Sequence, residues 1–229
     1  MIVLAFDTAQ GALSAAVHDG EGALASAFEL RTRGHAEELM PMLETVLAEA
    51  ALGFADLDAL AVTIGPGTFT GLRVGLAAAR GLALARELPL VGITTLEAIA
   101  ADVVAGDGEV IVAAFDAKRG EVYLQAFDAA HAPLTEPALV AVADVAALLP
   151  RRKLLLVGTG AALLEVALHD FERRLADAPA QPHADAVARL ALQRLEAKGL
   201  DAFRVAPAPL YIRAPDAKLP GGRDPGEAA

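Results

Sequence analysis

Short apolar runs punctuate the chain and alternate with longer stretches of helical spacing, the two separated by Gly-, Asp- and Thr-rich turns. IVLAF (2–6), LDALAVTI (57–64), LPLVGI (88–93), IVAAF (111–115) and KLLLVG (153–158) read as strands. HAEELMPMLETVLAEA opens at His35 and places Leu39, Met42, Leu43, Val46 and Leu47 on one helical face. Pro41 suits an early turn or a kink. LRVGLAAARGLALARE (72–87) is a second helix, ended by Pro89, and TLEAIAADVVA (95–105) and AALLEVALHDF (161–171) are two more.

The pattern repeats. Residues 2–19 (IVLAFDTAQGALSAAVHD) and 111–128 (IVAAFDAKRGEVYLQAFD) agree at seven of eighteen positions, including Phe6/Phe115, Asp7/Asp116 and Gly11/Gly120. Each copy reads as a β-hairpin with an acid at its mouth, followed by strand, Gly-containing turn and helix. Two such units predict an α/β protein of two duplicated domains, each a mixed sheet with packed helices and a cleft between them. The break at Gly106-Asp107-Gly108 follows a boundary expected between Thr94 and Asp107, which gives domains 1–98 and 99–219. Residues 220–229, Pro/Gly-rich and polar, read as a loose tail.

Composition narrows the chemistry. The 229 residues are 55% hydrophobic but 4% aromatic, so the core has to be built from Leu, Val, Ile and Ala. Without cysteine there are no disulfides or thiolate metal sites. MIVLAFDT lacks a basic leader and reads as a first strand rather than a secretory signal. No apolar run approaches the roughly 20 residues of a membrane span. A cytoplasmic setting is expected. A net charge of −11 argues against unaided binding to nucleic acid, and Arg151-Arg152-Lys153 and Arg173-Arg174 read as solvated pairs.

Among candidate sites, Gly65-Pro66-Gly67-Thr68-Phe69-Thr70-Gly71 lies between strand and helix, where backbone N–H groups can turn toward an anion. A ligand-free tight turn fits it equally well, and it matches neither the P-loop nor the dinucleotide fingerprint. Asp7 and Asp116 could hold a metal or orient water, or could be hairpin-turn residues. Ser14 has a weak case as a phosphate contact. The five histidines, at 18, 35, 131, 169 and 183, include no pair at helical metal spacing. Gly71, Gly75, Ala78, Ala79 and Gly81 leave the second helix nearly bare on part of its surface, suited either to its own sheet or to a partner helix.

FDTAQGALSAAV, RGHAEELMPMLETVL, IGPGTFTGLRVGLAAARGLAL and APLYIRAPDAK together resemble the TsaB (YeaZ) family of tRNA threonylcarbamoyladenosine biosynthesis. The resemblance implies two RNase H-like domains of the actin/Hsp70 (ASKHA) type. It implies a scaffold that is not itself an enzyme, without catalytic residues, metal or cofactor. Its partners would be a catalytic TsaD-like paralogue and a TsaE-like ATPase, with homodimers when alone and tRNA met only indirectly through the complex. It also implies a pairing surface on helices 35–50 and 71–86, carried by His35, Leu39, Met42, Leu43, Arg73, Val74 and Ala78. Asp7, Gly65, Gly67, Thr68 and Gly71 would be a vestigial anion or nucleotide loop. Where the catalytic paralogue has a His-Leu-Glu-Gly-His metal motif, this chain reads Thr95-Leu96-Glu97-Ala98-Ile99. Gly158-Thr159-Gly160 is at most a short remnant of an adenosine loop. An actin-like ATPase or small-molecule kinase, and a metal-dependent peptidase, are the competing readings.

Overall fold

The computed structural model describes residues 1–213, so the expected tail at 220–229 lies outside the described residues. The first sheet contains β1 (Val3–Asp7), β2 (Ala12–His18), β3 (Ala23–Leu30), β4 (Ala59–Gly65) and β5 (Leu90–Thr94), in the order β3-β2-β1-β4-β5. The second contains β6 (Val110–Lys118), β7 (Glu121–Phe127), β8 (Ala138–Ala141), β9 (Leu154–Val157) and β10 (Arg173–Leu175), in the order β8-β7-β6-β9-β10. Within each sheet the first three strands are antiparallel and the last two join the central strand in parallel. The internal repeat is therefore a repeat of topology, and the protein consists of two RNase H-like mixed sheets with packed helices.

The two hairpins differ at their turns. β1 stops at Asp7, paired with Ser14, whereas β6 runs two residues past Asp116 and turns tightly between Lys118 and Glu121. Lys118, Arg119 and Gly120 all adopt left-handed backbone there. Asp116 consequently lies within a strand and not at a hairpin mouth.

Helices cover both faces of each sheet. On the first, α1 (His35–Glu49) and α2 (Phe69–Arg86) bury Leu39, Leu43, Val46, Leu76 and Ala79 against Leu4, Phe6, Leu13, Leu60 and Val62. Strand alternation sends Val3, Ala5, Ala16, Ala59 and Ala61 to the opposite face. That face is covered by α6 (Ala184–Lys198), through Ala184, Val187, Ala188, Ala191 and Leu195. α6 comes from the second half of the sequence yet packs on the first sheet. Small side chains on both sides let helix and sheet approach closely, which uses the alanine content that the composition left unplaced. α3 (Thr95–Ala100) crosses the other way, burying Leu96, Ile99 and Ala100 against Ile111, Ala113 and Phe115 of the second sheet. α4 (Val145–Leu148) and α5 (Ala161–Ala167) close that sheet's outer face.

The bare surface of α2 divides between two uses. A Cβ on Gly71 would collide with the Thr8 carbonyl oxygen and the Thr68 hydroxyl, and one on Gly75 with the Thr8 hydroxyl. Thr8 Oγ1 donates to the Gly71 carbonyl at 2.7 Å, so these glycines serve helix–strand contact within the chain. Gly81, in contrast, faces open space. Gly81→Ala should therefore raise unfolding free energy by about 0.5–1 kcal/mol, the ordinary helix gain. Gly71→Ala should lower it by several times that amount. Chemical denaturation of both variants checks the contrast.

Candidate functional site

A cleft of about 700 Å³ opens between the two sheets' ends. Gln10, Pro66, Gly67, Thr68 and Phe69 form its first wall, Asp116, Lys118, Tyr123 and Thr159 its second, and Leu210–Arg213 run along its mouth. Of the five expected loop residues, Gly67 and Thr68 line this space, while Asp7, Gly65 and Gly71 are not among its lining. Two of the loop amides are used within the chain. Thr68 N–H donates to the Ala9 carbonyl at 2.7 Å, and Gly71 N–H donates to Thr68 Oγ1 at 3.1 Å as the cap of α2. The Pro66 carbonyl accepts from Thr95 Oγ1 at 2.6 Å and from Gln10 Nε2 at 3.1 Å. Among the described residues lining the cleft, both cations are already paired, Lys118 with Asp116 and Arg213 with Glu121. A phosphate that engaged either cation would compete with its carboxylate partner.

The duplicated acids have separated in character. Asp7 is fully buried; its Oδ1 accepts from Thr63 Oγ1 and from Ala9 N–H, and its Oδ2 has no hydrogen-bond partner. Burial pushes its carboxyl up from 3.8 to about 7, against the smaller pull of those two hydrogen bonds. Asp116 lines the cleft, and the Lys118 ammonium holds its carboxyl below the usual range. Ser14 does not reach the cleft lining; its Oγ accepts from Ala184 N–H at 2.8 Å and so satisfies the start of α6.

Thr95–Ile99, the stretch matched to the paralogue's metal motif, is the capped start of α3. Thr94 Oγ1 accepts from Glu97 N–H at 3.1 Å, and Glu97 Oε2 accepts from Thr94 N–H at 2.9 Å. The other Glu97 oxygen pairs with Arg194. Among the described residues, no three His, Cys, Asp or Glu side chains gather as a metal site.

The expected pairing surface is only partly at the surface. Arg73 is exposed, and His35, Met42, Val74 and Ala78 are half-buried. Leu39 and Leu43 are 1% and 0% exposed, pointing into the core under α1, so neither can touch a partner directly. The correction has a simple cause: both belong to the apolar stripe by which α1 binds its own sheet. What the outer side of α2 shows instead is Phe69, Arg73, Ala77 and Leu84, successive along one face. Phe69 and Leu84 are 46% and 84% exposed, and the Arg73 guanidinium lies 3.6 Å from the Phe69 ring centroid. The four- and seven-residue spacing of these positions could have marked them in the sequence; assigning Phe69 to a loop concealed it.

A family model described as TsaD, tRNA N6-adenosine threonylcarbamoyltransferase, matches residues 29–220. The Escherichia coli protein named tRNA threonylcarbamoyladenosine biosynthesis protein TsaB is 41% identical over 119 residues, covering 52% of this chain and 51% of that protein. The match thus spans about half the length of the curated relative. The structure of YeaZ from Pseudomonas aeruginosa superposes with a TM-score of 0.75 at 28% identity, covering 92% of this chain and 99% of that one. The Clostridium difficile activator of 2-hydroxyisocaproyl-CoA dehydratase, solved with ADPNP, shares the fold at a TM-score of 0.54 and 12% identity.

The buried Asp7 carboxyl makes a pH prediction. Its folded-state pKa is raised, so the neutral acid's stability is fully present below 3.8 and is lost as pH rises through about 7. Asp7→Asn keeps a neutral side chain throughout. The stability of the Asp7→Asn variant minus that of wild type should therefore grow between pH 4 and pH 7.5 by up to about 4 kcal/mol and then level off. Urea unfolding at several pH values reads it, and a flat difference would remove the buried neutral acid.

Proposed function

The chain belongs to the TsaD (tRNA N6-adenosine threonylcarbamoyltransferase) family and within it to the TsaB (YeaZ) proteins, and from that premise we propose that it takes part in making N6-threonylcarbamoyladenosine on tRNA as a non-catalytic subunit. It pairs with a TsaD-like catalytic paralogue, and a TsaE-like ATPase docks on the pair. The tRNA is met through the assembled complex, which suits a chain whose own net charge is −11.

The observation that carries this reading is the outward face of α2. An exposed ring, a stacked guanidinium and an almost fully exposed leucine follow one another along a helix whose inner face is already buried. Aromatic, Arg and aliphatic anchors of this kind supply most of the energy of protein interfaces. Alone, two copies of the chain pair through the same face. The cleft supports the non-catalytic part: the Thr68 and Gly71 amides are bonded within the chain, and the cleft-lining cations Lys118 and Arg213 are paired with carboxylates.

Light scattering after gel filtration of the chain with the cognate TsaD-like protein tests the pairing, with a one-to-one species expected. Leu84→Asp should weaken that association by at least about tenfold, since it places a charge at a desolvated contact. Its thermal midpoint should stay within a degree or two of wild type, because Leu84 is 84% exposed. Undiminished association by this variant would take the α2 face out of the interface.

A further inference from the structure

Beyond α6 the chain returns along the first domain without helix or strand over residues 206–213, yet it is held at Pro207, Leu210, Tyr211 and Arg213. Arg80 Nη2 donates to the Pro207 carbonyl at 2.6 Å, and the Pro207 ring covers Gly92, where no Cβ would fit. Leu210 N–H donates to the Ile64 carbonyl at 2.7 Å, at the end of β4. The Tyr211 ring lies 5.7 Å from Phe69, and its hydroxyl accepts from Arg73 Nε at 3.4 Å. All these holds are on the first domain. Two residues later every contact is on the second. Arg213 Nη1 donates to the Ala117 carbonyl at 2.8 Å, Nη2 pairs with the Glu121 carboxylate, and the guanidinium lies 5.9 Å from the Tyr123 ring centroid. Leu210, Tyr211, Ile212 and Arg213 all line the cleft.

We propose that residues 207–213 are an interdomain clasp, which sets the width of the cleft and the shape of the Phe69–Arg73–Tyr211 corner together. The physical reason is lack of slack. Only two residues, Tyr211 and Ile212, separate the Leu210 anchor from Arg213, and even extended chain spans at most about 3.3–3.6 Å per residue. Any opening beyond what this short stretch and the Arg213 side chain can take up must break either the Arg213–Glu121 pair or the Leu210–Ile64 hydrogen bond. The ion pair is the point of release, because both partners are charged and only partly shielded, with side chains 23% and 35% exposed. Other links between the domains include the packed α3 and α6, and a hydrogen bond from Gly11 N–H to Gln181 Oε1 at 3.2 Å. Those can serve as the hinge while the clasp serves as the catch. Since the corner lies at the start of α2, closure of the clasp presents the face assigned above to the TsaD-like partner; this consequence rests on that reading, and the clasp itself does not.

The chain has no cysteine, so single cysteines at Thr32 and Glu136, both exposed and one on each domain, carry spin labels uniquely. In the isolated protein, Arg213→Ala should broaden and lengthen the interlabel distance distribution by about 5 Å. It should also speed hydrogen exchange at the Leu210 amide by about tenfold. Glu121→Gln should do the same from the other end of the pair, so the effect does not depend on one variant. An unchanged distance distribution in both variants overturns the clasp. A changed distance with unchanged Leu210 exchange overturns the link to the corner. No partner protein is present, so a failure of TsaD-like association would leave this result standing, and the reverse holds too.

Discussion

The carbonyl and hydroxyl of Thr8, just past the end of β1, lie so close to α2 that only bare backbone at Gly71 and Gly75 can face them. That approach draws the preceding loop down onto Ala9, through the Thr68 N–H and the close contact at Gly67. Asp7, two residues before Ala9, is cut off from water, and its carboxyl is pushed up to about 7. The same close approach also fixes which side of α2 faces outward. The seating of the loop on Ala9 and the orientation of α2 share one steric cause.

Duplication sets up a comparison within the molecule. Phe-Asp ends a run of the same strand in each half, and the sheets have the same order and directions. One extra pair of strand residues beyond Asp116 carries its hairpin past the acid, leaving it at the cleft beside Lys118, while Asp7, at the end of the shorter β1, is fully buried. The two carboxyls consequently shift in opposite directions, one by desolvation and one by an adjacent cation. A difference in turn length and one residue change, Lys118 where the first copy has Ala9, have together separated their chemistry.

The domains are not independent packages. α3 and α6 each leave the half of the chain that contains them to cover the other half's sheet, so the boundary expected at residue 98 falls inside a helix that belongs to both cores. Small residues on α6 and on the facing strands keep this central layer thin. The extended segment after α6 then adds a third crossing over the cleft mouth, made of hydrogen bonds and one ion pair in place of apolar packing. A packed layer on one side and a polar catch on the other is an arrangement suited to hinge motion.

The hairpins, their repetition, α1, α2 and the glycine-rich turn were legible in the sequence because each is written in local periodicity: alternation in strands, three-to-four spacing in helices, glycine where the backbone must turn. The family resemblance rested on those same segments. β3 and α6 were not legible, the former because its side chains are mostly exposed and the latter because alanine carries little amphipathic contrast. Leu39 and Leu43 satisfied the rule for a helix face without revealing whether that face meets its own sheet or a partner. The fates of Asp7 and Asp116, the intrachain bonds of the Thr68 and Gly71 amides and the reach of Arg213 to Glu121 were decided only in three dimensions. Each depends on contacts between residues distant in sequence, and burial, which sets both pKa and accessibility, is a property of that assembly and not of any segment.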